Sequence, residues 1–134
     1  MTTVVVPVRY PLSEHSRATL AEAISIAEDE DASLTILHID LYQNSTHVTR
    51  RQLKDAVESE FGRLPFARYS VRRGVLVEES ILEEIAAEEA DIVVIGKKQV
   101  SRWRTMIRRL LDDPNVEDFL KSKLDCKVVT VSVV

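Results

Sequence analysis

Apolar residues along the chain follow two alternating patterns. Short β-branched or alternating runs stand at residues 4–8, 34–39, 66–72, 92–95 and 127–134, and helical periodicities fill the intervals between them. Residues 4–8 (VVVPV) predict a buried strand ending near Arg9, with Pro7 tolerated if its missing donor falls at the strand's end or at a bulge. Ser13 is placed to cap a helix from Glu14, which carries Leu20, Ala23, Ile24 and Ala27 on one face and closes in the acidic run 28–31. Residues 34–39 (LTILHI) predict the second strand, followed by a polar loop over 40–47. Thr49 with Gln52 resembles a capping box for a helix burying Leu53, Ala56, Val57 and Phe61, stopped at Gly62 by a left-handed residue. Residues 66–72 (FARYSVR) alternate as an edge strand does.

The second half repeats the scheme. After Gly74, the spacing predicts a helix with Val77, Ile81, Leu82, Ile85 and Ala86 inward and its glutamates mostly outward. The continuous run 92–95 (IVVI) reads as a central strand ended by Gly96. Trp103, Met106, Ile107, Leu110 and Leu111 mark an amphipathic basic helix. Asp113-Pro114 reads as the start of another, with Val116, Phe119, Leu120 and Leu124 as its apolar face. A terminal strand occupies 127–134. Five strands alternating with helices give an α/β class with a mostly parallel sheet, helices on both faces and right-handed crossovers, all in one domain over 1–134.

Composition narrows the function classes. With 134 residues, 45% hydrophobic and 30% charged, the chain has an ordinary globular balance and is long enough to bury roughly two-thirds of its unfolded surface. One cysteine, Cys126, excludes an internal disulfide framework and a multi-cysteine metal site. No run approaches the ~20 apolar residues of a membrane span, and residues 1–8 are too short for the apolar core of a signal peptide, so membrane insertion is not expected and a cytoplasmic location is the default. Three glycines, Gly62, Gly74 and Gly96, leave no room for a glycine-rich phosphate loop, and neither GxGxxG nor GxxxxGK[ST] occurs. His15, His38 and His47 lack metal-ligand spacing, and Cys126 has no visible base partner.

The net charge of −4 hides a segregation. Residues 97–109 hold Lys97, Lys98, Arg102, Arg104, Arg108 and Arg109 without an acid, leaving 12 cations against 22 acids elsewhere. The least demanding account is a solvated helix face neutralised by that acid excess, each exposed pair being worth ~0–1 kcal/mol. Contact with an anion or acidic protein is the sharper one, since guanidinium forks suit phosphate and carboxylate. Nucleic acid ranks last, as Trp103, the segment's one aromatic residue, falls on the apolar face.

The strings at 4–39, 74–96 (GVLVEESILEEIAAEEADIVVIG) and 127–134 (KVVTVSVV), with Ser13 and Ser16 at a helix start and Leu-His-Ile closing the second strand, resemble the universal stress protein family over nearly the whole chain. The resemblance implies strand order 3-2-1-4-5 and a ligand site where strands one and four part. Many family members hold ATP there, with an Asp after strand one and a Gly-x-x-Gly followed later by Gly-Ser/Thr. This chain departs from each: Arg9 stands for the Asp, Gly96 matches the first glycine but Gln99 replaces the second, and Pro114-Asn115 aligns with Gly-Ser, followed by Val116.

A side chain at Gln99 and the missing donor of Pro114 oppose close phosphate approach. Asp112 and Asp113 would repel phosphate at that helix start. Pro7, Val8, Ile39 and Ile95 remain suited to wall an adenine, while Arg9, Lys97, Lys98 and Arg102 supply positive charge. The expectation is therefore a non-catalytic binding or regulatory domain that is not an ordinary ATP binder. Two alternatives stand beside it: an adenine-nucleotide binder (ATP or AMP) with weak ATPase activity, and an anion or acidic-partner module using 97–109. The resemblance also implies a homodimer through strand 127–134, whose valines form an unprotected edge. A protein partner stays open.

Overall fold

The computed structural model describes residues 1–111 and 126–132. Five strands, β1 (Thr3–Pro7), β2 (Ser33–Leu41), β3 (Ala67–Gly74), β4 (Ile92–Gly96) and β5 (Lys127–Val131), alternate with helices α1 (Glu14–Asp29), α2 (Arg50–Phe61), α3 (Val77–Glu88) and α4 (Lys97–Leu111). All neighbouring strands are parallel, and they lie in the order β3-β2-β1-β4-β5. The order and the α/β class agree with the sequence expectation. Alternate side chains enter two cores: Val4, Val6, Leu34 and Ile36 pack with α1 and α2 on one face, while Val5, Leu37, Val93 and Ile95 pack with α3 and α4 on the other.

Local chemistry explains most boundaries. The Ser13 side chain accepts from the Ser16 N–H to cap α1, and Thr49 and Gln52 form the reciprocal capping box of α2. Gly62 follows α2 with φ 78° and ψ −175°, so the positive φ expected of it is present, though in an extended rather than a left-handed helical form. Strand β2 runs past residue 39 because Asp40 and Leu41 still pair with Arg73 and Gly74 of β3. The predicted polar loop therefore begins two residues late. Asp40 is instead a buried carboxylate whose Oδ2 accepts from Val48 N–H at 3.3 Å and bonds His47 Nδ1 at 3.1 Å, tying that loop down.

Two expectations need correction. Ala86 is exposed, and Glu84 takes an inward position with Ser80, Ile81 and Ile85. The reason is β3, whose Ser70 and Arg72 point at α3 and favour a carboxylate over a methyl group there. The basic helix also starts earlier than its apolar stripe suggested. It begins at Lys97, directly after β4, and its Val100 and Trp103 are buried. The helix expected from Asp113-Pro114 lies outside the described residues, as do the last two positions of the terminal strand.

Gly74 marks where the chain turns from β3 toward α3. A Cβ there would sit 2.0 Å from Ser80 Oγ and 3.2 Å from Ser80 Cβ. Gly74→Ala is expected to cost about 1–3 kcal/mol, the usual range for overpacking, and Ser80→Ala in the same chain to recover most of it. Urea unfolding of the two single variants and the double variant checks this, additive costs being the contrary result.

Candidate functional site

In a parallel sheet the chain leaves β1 toward one face and β4 toward the other, so a crevice opens beyond the carboxyl ends of these strands. Here that crevice is a cavity of about 300 Å³. Its walls include Pro7, Val8 and Arg9 at the end of β1, Ile39 of β2, Ile95 and Gly96 of β4, and Lys98, Gln99 and Arg102 of α4. The structure thus brings these sequence-derived candidates together. Lys97 is exposed and is not among the lining residues, and Asn115 and Val116 lie outside the described residues.

The lining also includes Ser13, His15, Ser16 and Thr19 of the α1 region, His38 of β2, and Val77 and Ile81 of α3, which the sequence reading did not select. For α1 a signal was present: residues 13, 16 and 19 share one side of its first turns. Their hydroxyls serve the scaffold. Ser16 Oγ accepts from the Arg9 backbone N–H at 2.8 Å and from Ser13 Oγ at 3.1 Å, while Thr19 Oγ1 donates to the Ser16 carbonyl at 3.0 Å. The segment carrying Arg9 is therefore fixed through its backbone, and its side chain remains exposed.

His38 is buried, with Nδ1 3.0 Å from the Val8 carbonyl oxygen. A carbonyl only accepts, so Nδ1 carries a proton toward it. The Tyr10 ring meets this imidazole edge-on, with centroids 6.2 Å apart. On the opposite wall, Gln99 Nε2 donates to Glu78 Oε1 at 3.4 Å and Trp103 Nε1 donates to the Glu78 carbonyl at 3.0 Å. These bonds hold α4 against the first turn of α3.

The electrostatics are one-sided. Among the described residues no carboxylate lines the cavity, and Arg9, Lys97, Lys98 and Arg102 take part in no ion pair. Among the described residues no acid neutralises Lys97, Lys98 or Arg102; the side chains of Arg104, Arg108 and Arg109 and the acids of 112–125 lie outside what is described. The first turn of α4 holds no acid and contributes its own partial positive charge. Apolar walls, a cationic rim and a helix N-terminus together suit a ligand with a flat apolar part and a compact negative one.

Gly96 is not demanded by the fold. A Cβ added there meets only Thr19 Cγ2, at an ordinary 3.8 Å. Gly96→Ala is expected to be neutral within about 1 kcal/mol, because reduced unfolded-state entropy offsets a poorer residue ahead of α4. A loss well beyond that in thermal unfolding would mean that the backbone at Gly96 needs glycine.

Comparison with known proteins adds a family and a set of folds. The sequence model of the Universal stress protein family matches residues 1–132. No curated protein matches. Among solved structures, a universal stress protein in complex with cAMP is similar at 22% identity and TM-score 0.58, covering 97% of this chain and 96% of its own. Universal stress protein UspA from Lactobacillus plantarum is 18% identical at TM-score 0.58, with 97% of both chains covered. A protein of that family from Burkholderia pseudomallei is 16% identical at TM-score 0.63, covering 97% of this chain and 95% of its own. At these identities the likeness is one of fold.

Proposed function

As the chain belongs to the universal stress protein family, we propose that it is a non-catalytic binding domain, spanning 1–134, that accepts a small anionic ligand of nucleoside-monophosphate size instead of ATP with magnesium. The cavity carries this reading. Its volume of about 300 Å³ stands at the low end of the ~300–1,000 Å³ usual for small-molecule sites. Pro7, Val8, Ile39 and Ile95 suit the faces of a purine, and His38 adds a polar ring to the same lining. Arg9, Lys98, Arg102 and the start of α4 suit one phosphate.

A triphosphate with its metal fits the residues poorly. No described carboxylate lines the cavity to hold a cation. α4 follows β4 without an intervening loop, so no flexible run of backbone amides stands between them to wrap a polyphosphate. Arg9, where many relatives place an acid, favours a phosphate or sulfate group over ribose hydroxyls. The cAMP complex of a 22% identical relative supports a monophosphate as the ligand class. Regulation by occupancy, without turnover, is the reading that suits a pocket whose described lining offers cations and no carboxylate base.

Thermal unfolding with AMP, cAMP, ATP–magnesium and sulfate tests the reading. A ligand at a hundredfold excess over its Kd contributes about 2.7 kcal/mol, which is several degrees of Tm. AMP or cAMP is expected to raise Tm at millimolar concentration at least as much as ATP–magnesium does, with Arg9→Ala and Arg102→Ala each reducing the rise. Gly96→Ala should weaken binding while leaving unliganded Tm in place. Absence of any shift sinks the proposal, and sulfate stabilising more than either nucleotide redirects it to a plain anion site.

The partner reading concerns β5. It closes one edge of the sheet and pairs only with β4. Val128, Val129 and Val131 are half-buried, so a second copy laid along this edge would complete their burial and satisfy its open backbone groups. Light scattering at micromolar concentration is expected to give twice the 15.2 kDa chain mass; a monomer at that concentration refutes it.

A further inference from the structure

Two residues of α4, Gln99 and Trp103, reach across to the first turn of α3, and both end on Glu78. Trp103 Nε1 donates to the Glu78 carbonyl at 3.0 Å, and Gln99 Nε2 donates to Glu78 Oε1 at 3.4 Å. Their spacing of four places them on one side of the helix. Trp103 is fully buried, so the core itself fixes where Glu78 stands.

Lys98 and Arg102, also four apart, line the cavity together with Gln99 and form no ion pair with any described residue. The Glu78 carboxylate is thus bound to a neutral amide instead of to either cation. Glu78 is not a lining residue; its carboxylate lies one hydrogen bond behind one. The Gln99 amide holds the acid in place without cancelling its charge, which a lysine or arginine there would do.

An anion seated among Arg9, Lys98 and Arg102 is therefore attracted by three lining cations and repelled by one acid behind the wall. The other charged residues of these segments nearest the cavity are Glu14 on α1, Glu79 on α3 and Lys97 on α4. All three are exposed and outside the lining, where water and salt screen them. The balance of two positive charges complements one phosphate monoester, which carries about −1.5 to −2 at pH 7. A second phosphate brings more negative charge and no further cation into a cavity of about 300 Å³.

We infer that Glu78, held by Gln99 and Trp103, sets the charge preference of the crevice; this rests on the anion site proposed above and narrows its ligand to a phosphate monoester dianion, against diphosphates. Repulsion of this kind gives specificity because it weakens the matched ligand a little and the overcharged one more.

Calorimetric titration in magnesium-free buffer at fixed low ionic strength tests it, with AMP against ADP and inorganic phosphate against pyrophosphate. The wild type is expected to bind the member with one phosphate at least as tightly in each pair. Glu78→Gln keeps an oxygen to accept from Gln99 and removes the charge. It should favour ADP and pyrophosphate, shifting the ratio of dissociation constants within each pair by up to about fivefold, the reach of one screened charge. That shift should shrink at high salt. Should this variant not fold, Glu78→Ala removes the same charge and should move the ratio the same way. Glu79→Gln, on the same turn but without a bond to α4, should leave the ratio at its wild-type value.

An unchanged ratio on loss of the Glu78 charge, or an equal change in Glu79→Gln, refutes the charge preference and leaves the crevice as a ligand site. Tighter wild-type binding of ADP and pyrophosphate refutes it as well. If only the inorganic pair binds, the nucleotide reading fails, and the phosphate-to-pyrophosphate ratio still decides the role of Glu78. Binding of none of the four ligands overturns both.

Discussion

The divergence of β1 and β4 governs the rest of the molecule. A parallel sheet needs crossovers, the crossovers are right-handed, and a strand order that reverses at β1 sends α1 and α2 to one face and α3 and α4 to the other. No side chain can fill the gap this leaves at the strand ends without blocking a helix start. Whatever stands at residues 7–9 and 95–99 therefore becomes the lining of an opening, and the chemistry of the site is decided by a few side chains on a scaffold that is indifferent to them. Volume, polarity and charge at this point follow from topology first and from residue identity second.

Residue identity here favours negative charge. In the described part of the chain the cations near the crevice are ion-paired with no acid, although the whole molecule carries a net charge of −4. The acids are engaged elsewhere: Glu60 with Arg17, Glu83 and Glu84 with Arg72, and Glu88 with Arg68. The ion-paired arginines sit away from the crevice, while Arg9 and Arg102 at its rim form no ion pair with any described residue. An unpaired cationic rim over an apolar floor is more informative than the net charge.

Much of this was legible in the sequence, for physical reasons. β-branched runs, the capping serine at Ser13 and the Thr49–Gln52 box are local signals, and local signals fixed the element order. Strand ends followed, but that Pro7, Arg9, Ile39 and Gly96 meet at a crevice came from the strand order that the family resemblance implies. What escaped depends on neighbours distant in sequence. Glu84 turned inward because β3 offers Ser70 and Arg72 across the interface, and periodicity alone assigns that place to Ala86. The start of α4 was hidden because Lys97-Lys98-Gln99 carries no apolar stripe; the burial of Val100 and Trp103 against α3 settles it. His38 stands three residues before the end of β2, and the Val8 carbonyl opposite fixes its orientation.

The tether at Arg9 has a consequence for how such a site changes over generations. Ser16 grips the main chain at this position and ignores the side chain, so exchanging the residue costs the fold nothing in hydrogen bonds. On the proposed reading an acid there suits hydroxyl groups and a base suits phosphate, and either leaves the Ser16 tether in place. With the crevice as the ligand site proposed above, ligand preference is uncoupled from folding at this position, and a lineage carrying the scaffold can explore new small molecules by single replacements at one address.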